Sequence, residues 1–410
     1  MKPILVIAGE ASGDLHGAEI LRALKARCPE ARIIGVGGSL MTPFLDRKLA
    51  DVQDLAVVGF IEVIRHLPRL RRLFGEIMAA AAEEGIGGAL LIDYPGFNMR
   101  LARALRRAMP GVGLHQFVCP QVWAWKPGRI PELGRTLDTL YCLFDFEPGL
   151  FQGYPVEAIW VGNPLVETVV PEVDRETFFA QTGLDPARPL VALLPGSRAG
   201  ELSRLMPPLA QLVEDWQARP ERRDVQWVVP VAPTLREADL RAYLKPGLVC
   251  PDSVSGLRPD MEWGSLRGDE ERATRAGGPP SVLLVQHLGY AARAYADAAL
   301  VCSGTATLET ALLGTPFAIF YKLNPLTYFV AKRWVRIPCF GLANVVAGRQ
   351  LVPELLQGEV NARRLGQELD TLLEPGTAAR MRRELGELRA RLGRPGAADR
   401  VAEDLLGKMG

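Results

Sequence analysis

Apolar residues in this chain gather into short, largely unbroken runs instead of alternating with polar ones. The runs cover 3–8, 32–36, 89–92, 114–118 and 158–161, and then 190–194, 225–231, 282–286, 298–302 and 317–321. Unbroken runs of strand length mark strands covered on both faces, the habit of parallel sheets. Several lead through a glycine-containing turn into a stretch with helical spacing, such as 14–26 or the leucines after 303. The pattern lapses at 162–164 and 171–174, where Gly, Asn and Pro mark a linker, and then restarts. It predicts an α/β protein of two doubly wound domains, 1–165 and 166–375, with C-terminal helices over 376–410. Residues 245–280 are rich in Pro, Gly, Ser and mixed charge, and read as irregular surface.

The run 298–302 continues into Ser303-Gly304-Thr305-Ala306-Thr307-Leu308-Glu309. Ser303 is the expected N-cap of a helix whose apolar face carries Leu308, Leu312 and Leu313, and Gly314 and Pro316 stop it. Small residues let a ligand approach the backbone, and free N–H groups at a helix N-terminus suit a phosphate. Glu309, one turn in, is placed to reach ribose hydroxyls. An ordinary capped helix would look the same.

Other strand ends carry chemistry too. Gly9-Glu10-Ala11-Ser12-Gly13-Asp14 follows the first run and is neither GxGxxG nor a P-loop. Asp93-Tyr94-Pro95-Gly96-Phe97-Asn98 puts a carboxylate directly after a strand, where catalytic acids and mere helix caps both sit. Trp123 and Trp125, with Lys126 and Arg129 nearby, suit a sugar or an anionic head group, or form a packed rim. Pro195-Gly196-Ser197-Arg198 opens another helix, and Arg198 is placed to pair with a phosphate.

Residues 57–74 stand apart. Phe60, Val63, Ile64, Leu67, Leu70 and Phe74 share one helical face and Arg65, Arg69 and Arg72 the other, while Pro68 should kink the helix or divide it. Such a segment can lie on an anionic bilayer or turn its apolar face to a core.

Composition narrows the classes. Apolar residues make up 48% and charged ones 23%, and the net charge of +1 gives no field for nucleic acid. The six cysteines show no CxxC and no spacing with His, which argues for reduced thiols and against a zinc site or disulfide framework. No apolar run reaches the length of a membrane span, and residues 4–8 are too short for a signal-peptide core.

Taken together, the motifs resemble those of lipid-A-disaccharide synthases. The resemblance rests on Gly9 to Asp14, Asp93 to Asn98, Val122-Trp123-Ala124-Trp125, Leu194 to Arg198 with Glu201, and Ser303 to Glu309. Gly341-Leu342-Ala343-Asn344-Val345-Val346-Ala347-Gly348-Arg349 and Pro353-Glu354-Leu355-Leu356-Gln357 complete it. Two places depart from the family pattern: Gly162-Asn163-Pro164-Leu165 lacks a histidine common there, and Asp145-Phe146-Glu147 replaces Pro-Phe-Glu.

The resemblance implies a GT-B fold of two facing Rossmann-like domains with a ligand in the cleft between them. It implies inverting transfer of 2,3-diacylglucosamine from UDP to the 6-hydroxyl of 2,3-diacylglucosamine 1-phosphate, giving a β-1,6 disaccharide 1-phosphate and UDP. Asp93 is the expected base, with Glu10 its rival. Ser12, Gly13, Asp14, Asn98, Trp123, Trp125 and Arg129 would bind substrate. Gly196, Ser197, Arg198, Glu201, Ser303, Gly304, Thr305, Glu309, Asn344 and Gln357 would bind the nucleotide. No metal or cofactor is expected. The same likeness implies a homodimer and a cytoplasmic enzyme held on the inner face of the inner membrane through 57–74. A UDP-sugar epimerase, an N-acetylglucosaminyltransferase or a silent nucleotide-sugar-binding protein would share the nucleotide motifs.

Overall fold

The computed structural model describes residues 1–55, 60–124, 127–250, 282–324 and 339–409, with the backbone alone for 60–67. The chain forms two compact units, Met1–Glu167 with Leu392–Gly410, and Thr168–Arg391. Each is built on a parallel sheet.

In the first unit the strands are β1 (Ile4–Ala8), β2 (Ile33–Val36), β3 (Arg47–Ala50), β4 (Gly88–Ile92), β5 (Gly113–Phe117), β6 (Thr139–Cys142) and β7 (Glu157–Trp160). They lie in the order β3-β2-β1-β4-β5-β6-β7. Every residue of β1 and β4 is buried, which is why they read as unbroken apolar runs. β1 and β4 pair from Ile4 with Gly88 to Ala8 with Ile92, and the strand order reverses between them. At such a switch point the loops leaving the carboxyl ends diverge and leave a crevice. Those loops are the ones after Ala8 and Ile92.

The second unit repeats the plan with β8 (Leu190–Leu194), β9 (Gln226–Pro230), β10 (Val282–Val285), β11 (Ala298–Cys302), β12 (Phe317–Tyr321) and β13 (Glu354–Leu356), ordered β10-β9-β8-β11-β12-β13. Its switch point lies between β8 and β11, so the loops at 195–198 and 303–304 flank the crevice there.

The last helix, Ala397–Met409, belongs to the first unit and packs on the helix Ala11–Arg27. Val401, Ala402 and Leu405 enter that core with no exposed surface. Arg400 donates to the Val161 carbonyl at 2.9 and 2.6 Å, and the Tyr141 hydroxyl to Asp404 at 2.7 Å.

Three local expectations are corrected. The first helix begins at Ala11, not Asp14, so Ser12 and Gly13 sit in its first turn. The N-cap of the helix Thr305–Leu312 is Gly304, at φ 149, a backbone state that L side chains rarely adopt. Ser303 instead extends the ladder, its N–H donating to Phe320 O at 3.3 Å.

Pro68 does not divide its helix, which runs unbroken over Phe60–Glu84. An interior proline costs about 3 kcal/mol. Burial of Leu73, Ile77, Ala80 and Ala81 on the same helix outweighs that, at roughly 1.5–3 kcal/mol for each larger side chain. The side chains of Phe60, Val63, Ile64, Arg65 and Leu67 lie outside the described residues, as do Trp125, Lys126 and most of 245–280.

Candidate active site

At the end of β4 the backbone turns through two successive left-handed residues, Asp93 (φ 46) and Tyr94 (φ 45). Val118, just past β5, is also left-handed (φ 71), an outlier for a β-branched residue. Non-glycine strain of this kind costs of order 1–3 kcal/mol per residue and persists only where surroundings enforce it. They do so here. The Asn98 amide donates to the carbonyls of Ile92 (3.1 Å) and Asp93 (2.8 Å), the Gln116 amide donates to Asp93 O (3.2 Å), and Asp93 N–H donates to Phe117 O (2.9 Å). The Tyr94 hydroxyl donates to Leu55 O at 2.8 Å, and its ring crosses Gly9 so closely that any Cβ there would collide with it.

This frame leaves the Asp93 side chain half-buried at the strand end. Burial pushes its carboxyl above the ordinary aspartate range, against the opposing pull of the Tyr94 backbone hydrogen bond and the nearby His16. The Asn98 Oδ1 and Gln116 Oε1 atoms are buried and have no hydrogen-bond partner among the described residues.

His16, which the sequence motifs did not single out, stands edge-on to Phe117 with ring centroids 5.7 Å apart. Glu10 is exposed and caps the first helix by its backbone. Its charge adds to burial in pushing the Tyr94 phenol up. Ser12 is exposed beside it, and Gly13 packs closely under Ala8 and Ile92.

Asp14 has a different task. Its carboxylate accepts the N–H groups of Gly38 (2.7 Å), Leu40 (3.1 Å) and Met41 (3.1 Å), tying down the loop after β2. Trp123 packs edge-on to Phe144 and Phe146 and donates its indole N–H to Glu147 at 3.2 Å, so its polar end is used internally. Arg129 closes the short turn Pro127–Arg129 and is half-buried.

In the second unit Gly196 (φ 110) lets the chain turn over Glu201. The Glu201 carboxylate accepts from the N–H groups of Ser197 (2.9 Å) and Arg198 (3.3 Å) and so holds the loop. The Arg198 side chain is 82% exposed, free to meet an anion, with its Nη1 3.7 Å from Glu201. Opposite, Gly304 and Thr305 are exposed at the start of their helix, ahead of its first bond from Thr307 N–H to Gly304 O at 3.1 Å.

Glu309 is not a loose carboxylate. It accepts from Arg293 Nη1 at 2.6 Å and from the Tyr290 hydroxyl at 3.3 Å. Arg293 carried no sequence signal, since sixteen residues and a strand separate the pair. Asn344 is fully buried. Its amide donates to Val352 O and Glu354 and accepts from the N–H groups of Leu351 and Val352, all at 2.8 Å, which uses all four of its hydrogen-bonding positions. Gln357 (φ 53) lies with its amide against the N–H and C=O of Leu323, at 3.1 and 3.3 Å.

The family model for lipid-A-disaccharide synthetase matches residues 4–246 and 273–401. The chain belongs to the lipid-A-disaccharide synthase family. It is 36% identical to the lipid-A-disaccharide synthase of Geobacter sulfurreducens, covering 99% of this chain and 97% of the relative. It is 38% identical to that of Anaeromyxobacter dehalogenans, with the same coverage.

Solved structures share the fold at low identity. The UDP-GlcNAc 2-epimerase of Neisseria meningitidis superposes with a TM-score of 0.59 at 10% identity, covering 99% of this chain and all of that one. The glycotransferase of kitacinnamycin gives 0.58 at 15% identity, over the whole of both chains. The fold is therefore of the GT-B type, and the chain is a glycosyltransferase of lipid A biosynthesis.

Within this family member one donor set drew no attention in the sequence. Cys119, Cys142 and Glu147 come from the ends of β5 and β6 and the turn beyond, all buried, with ligand atoms within 4.8 Å of one another. Burial pushes Glu147 up to about 7, and the mutual hydrogen bond with Cys142, with burial, pushes the Cys119 thiol well up. A cation site needs thiolates and a carboxylate. Cys119 and Glu147 are both pushed toward their protonated forms, and Glu147 already caps the N–H groups of Leu143 (3.0 Å) and Phe144 (3.1 Å). The cluster reads as a packed turn.

Proposed function

We propose that the chain transfers 2,3-diacylglucosamine with inversion from its UDP donor to the 6-hydroxyl of 2,3-diacylglucosamine 1-phosphate. The oxygen–anomeric carbon bond forms as the bond from that carbon to UDP breaks. The hydroxyl proton passes to a carboxylate, and the electron pair leaves on the diphosphate.

The observation that carries this reading is Asp93: a carboxylate at the switch point of the first unit, held by enforced backbone strain, its pKa raised by burial. A base is most effective with a pKa near the working pH, and a raised carboxyl is a stronger base than an ordinary one. Glu10 is the second candidate, on the neighbouring loop.

The donor would sit on the second unit. Arg198, the Ser197 hydroxyl and the N–H groups around Gly304 and Thr305 would meet the diphosphate, Glu309 the ribose, and Gln357 the outer rim. Gly196 and Glu201 would shape that loop, as Asn344 and Asp14 shape others. Ser12, Gly13, Asn98, Trp123, Trp125 and Arg129 would line the acceptor side.

Such clamps of arginine and backbone N–H groups neutralise a leaving diphosphate without a metal ion, so the reaction is read as metal-independent. Among the described residues no helix is long and apolar enough to cross a membrane. Acylated substrates then favour surface docking through 57–74 on the cytoplasmic face, and the family likeness favours a homodimer.

The test is product formation. Purified chain, diacylated UDP-glucosamine and the monosaccharide 1-phosphate should yield disaccharide and UDP. Clean UDP binding with no product would leave a nucleotide-sugar-binding protein.

A further inference from the structure

Arg204 lies on the helix Ala199–Gln217, beyond Arg198 and Glu201. Its Nε donates to the main-chain oxygen of Lys322 at 3.0 Å, just past the end of β12. Ser303 N–H donates to Phe320 O, so this anchor is two residues from the point where the 303–304 loop joins the sheet. The guanidinium is thereby fastened at the carboxyl ends of β8, β11 and β12, beside Gly200 in the first turn of its own helix.

Among the described residues its Nη1 and Nη2 have no acceptor. A half-buried arginine with one nitrogen tied down and its outer pair idle is pre-organised for a planar or tetrahedral anion. Its charge reaches the same place as that of Arg198. Burial pushes the Cys302 thiol at the end of β11 up to about 12, Glu201 adds to that, and both arginines oppose it. At this strand end two guanidinium groups are set against the single carboxylate of Glu201, a balance that suits a ligand with more than one negative charge.

We propose that Arg204 is a second phosphate-binding cation of this site, gripping the diphosphate of the nucleotide donor through its Nη pair. It complements Arg198, whose side chain is largely exposed, with a fixed donor that stabilises the diphosphate as it leaves. This rests on the reading that the donor is a nucleoside diphosphate sugar.

The test is calorimetric titration of the full chain, as wild type, Arg204→Gln and Arg204→Lys, with UDP and with uridine. Arg204→Gln should lose about ten- to a hundredfold in UDP affinity, the scale of one or two charged hydrogen bonds, with uridine affinity unchanged. Arg204→Lys should recover part of the loss. A variant that only loosens the fold weakens both ligands together, and that result, or unchanged UDP affinity, overturns the proposal. Failure of the wild type to bind UDP would instead bring down the donor reading, and this inference with it.

Discussion

Arg293 Nη1 meets Glu309 Oε2 at 2.6 Å, with both side chains mostly buried, at 10% and 19% exposed. The same guanidinium lies over the Tyr290 ring, 4.6 Å from its centroid. Glu309 is therefore held in one orientation. Its removal should act twice. Glu309→Ala should weaken UDP binding by about 1–3 kcal/mol. It should also strand a buried cation, lowering stability by about 3–5 kcal/mol. Calorimetry and thermal melts measure the two effects. A variant that melts early yet binds UDP normally would leave Glu309 as the partner of Arg293 and nothing more.

The strands that read clearly in the sequence, such as β8, β11 and β12, are buried on both faces, so their apolar runs are unbroken. β3 escaped because it is a half-exposed edge strand of sequence Arg-Lys-Leu-Ala. β6 escaped because it opens with Thr139, a buried polar residue whose hydroxyl accepts from Lys408 Nζ at 3.0 Å. That partner lies on the last helix, and no local pattern reports a contact across so long a stretch of chain. The strand-end loops were legible for the opposite reason: each is a local motif of Gly, Asp, Ser or Pro. What those residues do was less legible. Asp14, Glu201 and Asn344 look like ligand groups in the sequence, and the structure spends their side chains on backbone N–H groups of neighbouring loops.

Two buried groups in the first unit should give opposing pH profiles of stability. Burial pushes Glu147 up to about 7 from 4.5, so its contribution is full below pH 4.5 and is lost as pH rises through about 7. Burial, helped by Lys408, pushes His115 down to about 4 from 6.5, so its contribution is full above pH 6.5 and is lost as pH falls through about 4. Each is worth on the order of 3 kcal/mol across its window and they largely cancel. In urea melts, Glu147→Gln should show stability rising with pH between 4 and 7 more steeply than the wild type, and His115→Phe should show it falling. Parallel profiles for all three proteins would refute both assignments.

On the proposed clamp of guanidinium and N–H donors around the departing diphosphate, exhaustive EDTA treatment should leave turnover unchanged. Activity that disappears and returns with magnesium would move that charge onto a metal ion.

Replacing Phe60, Ile64 and Leu67 with Ser should lower liposome association while UDP binding persists. The helix carrying these positions continues to Glu84, and its later part, Leu73 and Ile77, is already committed to the core. Just beyond 60–67, Arg69 and Arg72 are exposed and ion-paired with Asp54 and Glu76. A triple variant that is unfolded by circular dichroism would make 60–67 core as well.

Asp93 permits the sharpest test, because its two readings differ in one atom. As a general base it contributes about a hundred- to ten-thousand-fold to rate. As a turn residue it needs only its backbone, which Asn98 and Gln116 hold through the carbonyl. Asparagine tolerates the left-handed conformation about as well as aspartate. Asp93→Asn should therefore fold normally and bind UDP normally, since the proposed donor residues lie in the second unit. Its turnover should fall by the full factor for a base. The wild type should show an acid limb in kcat/KM that rises with pH as Asp93 loses its proton, at a pH above the ordinary aspartate value of 3.8, because burial raises it. That limb should be missing from whatever activity the variant retains. If Asp93→Asn stays active while Glu10→Gln fails, the proton goes to Glu10, and the strained turn at 93–94 serves to place Tyr94 against Gly9.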